Sequence, residues 1–390
     1  MADHEVVTPD LAELKTHRSE KWRGFDSDVL PLPVAEMDFP IADSIRMVLQ
    51  EMVTASDLGY LGSAPELSAG FAKFAIERWN WSIDQSQVRI AADVGVAVVE
   101  VLRVFTNPGE KVLVNSPVYQ NFFNWIDEAK LEKVDVPFTL TGVETDNETP
   151  WQLDLDAVEK VYASGLKVHL LCSPHNPLGR IYSREELTRI ANMAKKYSVL
   201  VISDEIHAPL TFNPKSFIPF LTISETAREV GITVTSASKG WNIAGLKCAI
   251  IVSQSDSINE RLKSLPMAVH FRASILGAFA SAAAFADGNI WLDSVLRQLN
   301  HNRFMIRELL AVKLPSVSYH IPHNGYLAWL DLSSLNLGED PSAMLLERGR
   351  VAFNAGHLYG PQCSQFVRLN FATSPSIISE AIDRIARTLE

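Results

Sequence analysis

The sequence predicts an α/β protein in which a large domain, built on a mostly parallel sheet flanked by helices, is joined to a smaller α+β domain. The chain has 390 residues, which is more than one hydrophobic core usually spans. Several short apolar runs have the composition of buried strands, and an amphipathic helix with a clear start signal lies between two of them. A hydrophobic content of 47% with 21% charged residues excludes a disordered, collagen-like or coiled-coil chain.

Five runs rich in Val, Ile and Leu predict strands buried on both faces of a sheet. They cover residues 111–115, 168–173, 199–203, 232–236 and 248–253. Between the second and third runs, residues 184–197 have apolar side chains at helical spacing, and Ser183 with Glu186 forms a capping box at the helix start. A strand, a capped helix and a second strand in this order predict a parallel sheet with crossover helices.

The change in pattern along the chain predicts its domain organisation. We expect an N-terminal segment (residues 1–45) that packs across both domains, a large α/β domain (46–289) and a small C-terminal α+β domain (290–390). In the last part, a long amphipathic helix at 290–310 precedes short strands around 326–332 and 366–371.

Charge and hydropathy restrict the partners and the location of the protein. The formal net charge is −11, so we expect neither a nucleic-acid nor a membrane partner, since both require clustered Lys and Arg. Residues 1–10 lack the plan of a signal peptide, and the most apolar stretch, 273–286, is shorter than the ~20 residues that a membrane span needs. We therefore expect a cytoplasmic protein in which residues 273–286 form a buried helix.

The usual nucleotide and metal signatures are missing from the sequence. It contains no GxGxxG, GxxxxGK[ST] or GxSxG motif, and its three cysteines are far apart with no CxxC spacing. His320 and His323 have no obvious third ligand, so we expect no metal site.

Four polar features instead follow or occupy the predicted strands, where open α/β sheets bind ligands. Lys239, flanked by Ser236 and Ser238, suits an amine nucleophile beside a phosphate cradle. Asp204 could face a cationic ring nitrogen. The motif of residues 176–180, Asn-Pro-Leu-Gly-Arg, is by itself a turn. An arginine inside a strand, Arg368, is costly unless it meets a carboxylate.

Taken together and in this order, these features resemble the fold type I pyridoxal 5'-phosphate (PLP) enzymes of the class I/II aminotransferase family, over residues 22–385. Within that family the chain looks most like the MalY/PatB-type cystathionine β-lyase branch of carbon–sulfur lyases. The pattern is carried by residues 21–22, 28–32, 37–40, 203–207, 236–239 and 368–372.

The resemblance implies roles for the residues around the cofactor ring. Lys239 would hold PLP covalently and later move the substrate Cα proton. Asp204 would pair with the pyridine nitrogen and keep it protonated. Asn176 would bind the phenolic oxygen, a role that His207 would share, and Tyr119 would stack on the ring.

The resemblance also implies a phosphate site, a substrate site and a dimer. The cofactor phosphate would lie at the start of a helix over 96–105, held by Gly95, Val96, Ala97, Ser236, Ser238 and Lys247. Tyr60 would reach the phosphate of the neighbouring subunit, so we expect a homodimer with shared active sites. Arg368 would bind the substrate α-carboxylate, with Asn176 and Asp38 also assigned to substrate binding.

The chain departs from the branch at several positions beside the expected pocket. Pro33 stands where the branch usually has Trp, Glu36 where it has Asp, and Trp241 follows Gly240 where the branch has Thr-Phe. Lys247 stands where aminotransferases usually have Arg. The phosphate would therefore be bound by a single ammonium group and not by two N–H groups of a guanidinium. We expect a thioether side chain to lie against apolar groups such as Met37, Phe39 and Trp241.

The activity that the resemblance implies is cleavage of cystathionine or related cysteine S-conjugates to a thiol, pyruvate and ammonia, in sulfur amino acid metabolism. Two alternatives stay open. One is an aminotransferase with the same cofactor site, and the other is a regulatory or binding protein on this scaffold. The presence of Lys239, Asp204, Asn176 and Arg368 argues against the second, because a binding module has no need of the full set.

Overall fold

The structure is a computed structural model that describes residues 6–141 and 149–390. In these ranges the α-helices are α1 (Leu11–Leu14), α2 (Glu20–Arg23), α3 (Asp43–Thr54), α4 (Pro65–Trp79), α5 (Val94–Phe105), α6 (Asn121–Glu128), α7 (Leu155–Ala163), α8 (Arg184–Tyr197), α9 (Glu225–Val230), α10 (Ala237–Gly240), α11 (Asp256–Leu262), α12 (Met267–Phe271), α13 (Ile275–Asp287), α14 (Asn289–Lys313), α15 (Pro341–Gly349) and α16 (Pro375–Thr388).

The strands of the same ranges are β1 (Leu30–Pro31), β2 (Val88–Ala91), β3 (Lys111–Val114), β4 (Glu132–Asp135), β5 (Phe138–Leu140), β6 (Trp151–Leu153), β7 (Val168–Cys172), β8 (Leu200–Asp204), β9 (Gly231–Thr235), β10 (Ala249–Val252), β11 (Ser318–Tyr319), β12 (Leu327–Asp331), β13 (Val351–Ala352), β14 (Asn354–Ala355) and β15 (Phe366–Asn370).

A seven-stranded sheet of order β2-β10-β9-β8-β7-β3-β4 forms the centre of the molecule. Strands β4, β3, β7, β8 and β9 are parallel, which confirms the predicted mostly parallel sheet. Strand β10 is antiparallel to both of its neighbours, although its apolar sequence is of the same kind as those of the parallel strands. The connection 236–248 therefore returns the chain at the same end of the sheet, and both Lys239 and Lys247 lie on it.

Helix α8 has the predicted bounds and the predicted start. The Ser183 hydroxyl accepts a hydrogen bond from the Glu186 backbone N–H, and the Glu186 side chain accepts one from the Ser183 backbone N–H. Leu187, Ile190 and Ala194 are buried on the sheet side, as their spacing predicts. The capping box and the apolar stripe thus specify this crossover helix locally.

The last hundred residues form a separate four-stranded antiparallel sheet of order β11-β12-β15-β14, with α14 and α16 packed together beside it. This agrees with the helix and strands predicted there, although α14 is longer than the predicted 290–310. The N-terminal segment contacts this region because β1 pairs in parallel with β13. The domain boundaries at residues 45 and 289 stay a prediction.

The apolar stretch 273–286 forms α13, which packs against α3 and α4. It is rich in Ala, which permits this close packing, and seven of its residues, including Phe285, are buried. Among the described residues, no single helix is long and apolar enough to cross a membrane. Helices α13 and α14 meet that criterion only as a pair, and they are bent by 80°.

Candidate active site

A cavity of about 560 Å³ lies at the carboxyl ends of the parallel strands. Cys172 ends β7, Asp204 ends β8 and Ser236 follows β9, so adjacent strand ends bring these side chains together. Other residues that line the cavity include Val34, Ala35, Asp93, Gly95, Val96, Tyr119, Trp125, Asn176, His207, Ser238, Lys239, Lys247, Asn354 and Arg368.

Lys239 lies in the short helix α10, directly after β9. The Ser236 hydroxyl caps this helix by accepting the Ser238 backbone N–H at 3.1 Å. The Lys239 Nζ donates to the carbonyl oxygen of Ala35 at 2.9 Å. Burial, helped by the positive charge of Arg368, lowers the pKa of Lys239 to about 8. A lysine with a lowered pKa is a better nucleophile and base near neutral pH.

Asp204 is a buried carboxyl at the floor of the cavity. It is 5% exposed, and its Oδ1 accepts the Ile206 backbone N–H at 3.1 Å. Burial raises the pKa of Asp204 to about 7, while that hydrogen bond and the charge of Lys239 act in the opposite direction. Within the described residues no ion pair neutralises this carboxyl, so it is suited to a cationic group that enters the cavity.

Arg368 lies in β15 with 1% of its surface exposed. Its Nη2 donates to the Pro33 carbonyl oxygen at 2.8 Å, and its Nη1 donates to Asn176 Oδ1 at 3.3 Å. Its Nε is buried without a partner, and no carboxylate in the described part of the chain pairs with it. A buried guanidinium held only by neutral acceptors is suited to bind a carboxylate from outside the protein.

Asn176, His207 and Tyr119 line the same cavity as Asp204 and Arg368. The Asn176 carbonyl oxygen accepts the Tyr119 backbone N–H at 3.0 Å, which ties the two segments together. Burial and the nearby cations lower the pKa of His207 to about 3, so its ring is neutral. Burial raises the pKa of Tyr119, so its hydroxyl stays protonated. These three side chains offer neutral polar groups and an aromatic face.

The start of helix α5 forms another wall of the cavity. The helix begins at Val94, two residues earlier than predicted, because Asp93 caps it by accepting the Val96 backbone N–H at 2.8 Å. Gly95 and Val96 line the cavity, as expected. Ala97 does not, because it is buried in the first turn and its N–H donates to the Asp93 carbonyl oxygen at 3.0 Å.

Gly95 is required by the space around it. A Cβ atom at position 95 would lie 2.8 Å from Trp125 Nε1, so any other residue there would have to displace the indole ring. The indole N–H therefore lies beside the start of the helix, where free N–H groups and the helix dipole favour an anion. Neither Trp125 nor Asp93 was among the residues predicted from the sequence. Asp93 could have been found, since a carboxylate before an apolar helix is a standard N-cap.

The hydroxyls and the amine of residues 236–247 complete that end of the cavity. Ser238 and Lys247 line it, and Lys247 Nζ lies 3.1 Å from Asp93 Oδ2. Ser236 also lines it, but its hydroxyl donates to the Cys248 carbonyl oxygen at 2.5 Å and accepts from Ser238. The Ser236 hydroxyl is therefore engaged in holding the conformation of this loop.

Comparison with known proteins agrees with this geometry. The family model described as aminotransferase class I and II matches residues 27–385. The chain belongs to the class I and II aminotransferase family. It is 34% identical to a cystathionine beta-lyase of Corynebacterium glutamicum, over 98% of this chain and 99% of that protein. It is 29% identical to the cystathionine beta-lyase PatB of Bacillus subtilis, over 93% of each chain.

Solved structures agree as well. Cystalysin from Treponema denticola, whose crystal structure contains a pyridoxal 5'-phosphate cofactor, superposes with a TM-score of 0.90 at 27% identity, over 100% of this chain and 99% of that chain. The family and branch resemblance and the fold type predicted from the sequence are confirmed.

Three expectations about the pocket of this family member are not met. Asp38 does not line the cavity, because its carboxylate accepts from Lys21 Nζ at 2.7 Å and from Trp22 Nε1 at 3.0 Å in a buried cluster. Trp241 is fully buried against Phe74 and Phe285. The side chains of Met37 and Phe39 are buried in the core. The apolar character of Met37, Phe39 and Trp241 is therefore explained by packing in the core and not by contact with a substrate.

Tyr60 lies outside the cavity of its own chain. Its side chain is 90% exposed, which is unusual for a tyrosine, and it does not line the site. This position is compatible with a contact to a second subunit. The role of Tyr60 at the partner's phosphate stays a prediction.

Proposed function

We propose that this protein is a PLP-dependent carbon–sulfur β-lyase. It would convert cystathionine, or a related cysteine thioether, and water into a thiol, pyruvate and ammonia. The observation that carries the proposal is that one cavity contains the partly buried amine of Lys239, the buried carboxyl of Asp204 and the guanidinium of Arg368, which has no carboxylate partner among the described residues. These are the groups needed to hold an amino acid and remove its Cα proton.

The residues present fit PLP. Lys239 offers an amine of lowered pKa, and Asp204 offers a carboxyl for a protonated ring nitrogen. The close approach of Trp125 to Gly95 forms a cradle that a Cβ atom would fill, and Lys247 adds a positive charge there. These donors suit a phosphate dianion. Tyr119 supplies the aromatic face for the ring.

When bound, PLP supplies an electron sink that makes loss of the Cα proton, and then of a thiolate from Cβ, possible. Arg368 holds the α-carboxylate and so fixes which face of Cα meets Lys239. Lys239 accepts the Cα proton at Nζ, for which its pKa of about 8 is suitable. Asp204 keeps the ring nitrogen protonated by offering a negative charge at a buried position.

Two observations favour β-elimination over amino transfer from an acidic amino acid. The relatives at 34% and 29% identity are named cystathionine beta-lyases, whereas a relative named asparagine--oxo-acid transaminase is 24% identical. Among the described residues that line the cavity, Arg368 is the only arginine. Lys247, at the start of helix α5, already pairs with Asp93. A short acidic amino acid such as aspartate therefore finds no second arginine for its side-chain carboxylate among the described residues that line the cavity.

We further propose that the protein is a homodimer with shared sites and that it acts in the cytoplasm. Large apolar side chains are exposed at Met47, Val53, Leu58, Tyr60, Met267 and Phe271. His270 Nε2 lies 3.0 Å from the Gly62 carbonyl oxygen, which brings the loop after Tyr60 next to helix α12. An exposed apolar surface of this kind is typical of a protein interface. The small-molecule partner is the amino-acid thioether.

The test is an assay of the purified holoenzyme with cystathionine and with S-ethylcysteine, without any keto acid. We expect pyruvate, ammonia and thiol in equal amounts, and much slower turnover of aspartate with 2-oxoglutarate. Borohydride should fix the cofactor on the peptide that contains Lys239, and Lys239→Ala should abolish both fixation and turnover. If amino transfer to a keto acid outpaces elimination from every thioether tried, the protein is an aminotransferase instead.

A further inference from the structure

Residues 33–37, here called the strap, have an irregular conformation that side chains of other segments hold in place, and Val34 and Ala35 of the strap line the cavity. The carbonyl oxygen of every strap residue accepts a hydrogen bond from a side chain of another segment. The donors are Arg368 and Asn354 to Pro33, Asn370 to Val34 and to Glu36, Lys239 and Tyr326 to Ala35, and Asn242 to Met37. All of these bonds are between 2.6 and 2.9 Å long.

Two of these donors are the residues that carry the proposed chemistry. Lys239 and Arg368 each hold one strap carbonyl, so the strap lies directly against the reacting groups. Irregular backbone of this kind stays in one conformation only while its polar groups are satisfied. A change in the bonding of either side chain therefore acts on the strap.

The Ala35 carbonyl is the strap group shared between the reacting amine and a second donor. Lys239 Nζ and the Tyr326 hydroxyl both donate to this oxygen at 2.9 Å. A carbonyl oxygen has two lone pairs, so it can accept both hydrogen bonds at once. The two donors are thus neighbours on one acceptor.

Tyr326 is held firmly by its surroundings. It is 1% exposed, and its backbone carbonyl oxygen accepts the Phe371 N–H at 2.8 Å. Its ring packs edge-on against His207, with 6.2 Å between the ring centroids. Burial raises the pKa of Tyr326 well above its ordinary value, so the hydroxyl remains a donor. Tyr326 is not among the cavity-lining residues, which argues against direct contact with the substrate.

We propose that Tyr326 is a positioning residue for the reaction: its hydroxyl keeps the Ala35 carbonyl in place, and that carbonyl orients the free Lys239 amine for transfer of the Cα proton. The proposal rests on the proposed role of Lys239. During turnover the lysine nitrogen must alternate between the cofactor and a free state. Whenever it leaves Ala35, Tyr326 is the remaining side-chain donor to that carbonyl among the described residues.

The test compares Tyr326→Phe with the parent holoenzyme, because phenylalanine keeps the ring packing and removes only the hydroxyl. We expect kcat to fall about tenfold to a hundredfold, since misplacement of a reacting group by ~1 Å costs up to about a hundredfold. KM should stay within about twofold, because Arg368 is untouched. The kinetic isotope effect on kcat with a substrate deuterated at Cα should increase, since proton transfer is the step affected.

A second readout does not depend on activity. Amide hydrogen exchange of the substrate-free holoenzyme should be faster in the strap of Tyr326→Phe than in that of the parent. Tyr162→Phe is the matched control, because Tyr162 is also 1% exposed and loses a buried hydrogen bond, to His169 at 2.7 Å, away from the cavity. It should lower the melting temperature without changing kcat, the isotope effect or exchange in the strap.

An unchanged kcat in Tyr326→Phe would overturn the proposal. So would a lower kcat accompanied by an isotope effect or strap exchange no different from that of Tyr162→Phe, since the loss would then be a general loss of stability. If the parent cleaves no thioether, the proposed function fails, and the exchange measurement still decides whether the Tyr326 hydroxyl holds the strap.

Discussion

Asp93 Oδ2 and Lys247 Nζ lie 3.1 Å apart at the start of helix α5, on the wall of the cavity that suits a phosphate. Asp93 also caps that helix. The pair places one carboxylate and one ammonium where the cofactor phosphate would bind. A bound phosphate would compete with Asp93 for the lysine.

We expect Lys247→Ala to weaken binding of PLP about tenfold or more, because loss of a charge-assisted hydrogen bond costs roughly 1.5–3 kcal/mol. Lys247→Arg should retain most of the affinity. The dissociation constant can be measured by the cofactor absorbance on titration of the apoprotein. Lys263→Ala is the control, because Lys263 pairs with Glu260 on an exposed surface. Equal affinities in Lys247→Ala and Lys263→Ala would contradict the role of Lys247.

Arg368→Ala should mainly raise KM for the amino acid, because the substrate carboxylate would lose its buried partner at a cost of roughly 2–5 kcal/mol. Arg368→Lys should recover only part of this, since an ammonium lacks the fork. Steady-state kinetics with S-ethylcysteine would measure both. Arg387→Ala removes a surface arginine paired with Glu380 and should leave KM unchanged. A KM for Arg368→Ala close to that of the parent would exclude carboxylate binding by Arg368.

Asp204→Asn should lower kcat by about a hundredfold or more, within the range that positioned acid–base groups contribute. The reason is that an amide cannot stabilise a protonated ring nitrogen. The matched control is its neighbour, Glu205→Gln, which is equally buried but does not line the cavity. Comparable turnover in both variants would show that Asp204 has no special role.

Tyr60→Ala and Lys239→Ala chains, each inactive alone, should regain activity when co-expressed. One hybrid site would then receive Lys239 from one chain and Tyr60 from the other. Up to about one quarter of the parental activity is expected, since half of randomly paired dimers are hybrids with one intact site. Sedimentation should show a dimer. A fully active monomer, or no recovery in the hybrid, would contradict shared sites.

Glu205 should make the protein less stable as pH rises. Burial raises its pKa from 4.5 to about 8, so the folded state holds a proton that the unfolded state releases above pH 4.5. The free energy of unfolding should therefore fall by about 1.4 kcal/mol per pH unit between the two values.

The free energy of unfolding, measured by denaturant-induced unfolding at pH 5, 6.5 and 8, would test this. Glu205→Gln should flatten the decline relative to the parent, while Glu260→Gln, at an exposed position, should not. Parallel pH profiles for the parent and Glu205→Gln would refute the assignment.

The sequence by itself predicted the central sheet, the capped helix α8 and the polar side chains of Lys239 and Asp204 at the sheet edge, because each depends on local information. A buried parallel strand is recognisable from a short apolar run, and the polar residue after it must lie at the carboxyl edge of the sheet. Lys239 and Asp204 follow from this rule. Asn176 and Arg368 were assigned with the help of the family resemblance, and the structure brings all four to one cavity.

Only the tertiary structure decided which side chains meet across distant parts of the chain. Asp38 pairs with Lys21 instead of lining the cavity, Trp241 packs into the core, and the Tyr326 hydroxyl reaches Ala35 from 291 residues away. Apolar patterning reports that a side chain is buried but not what it is buried against. Such contacts are set by the packing of whole segments, whose geometry no local pattern encodes.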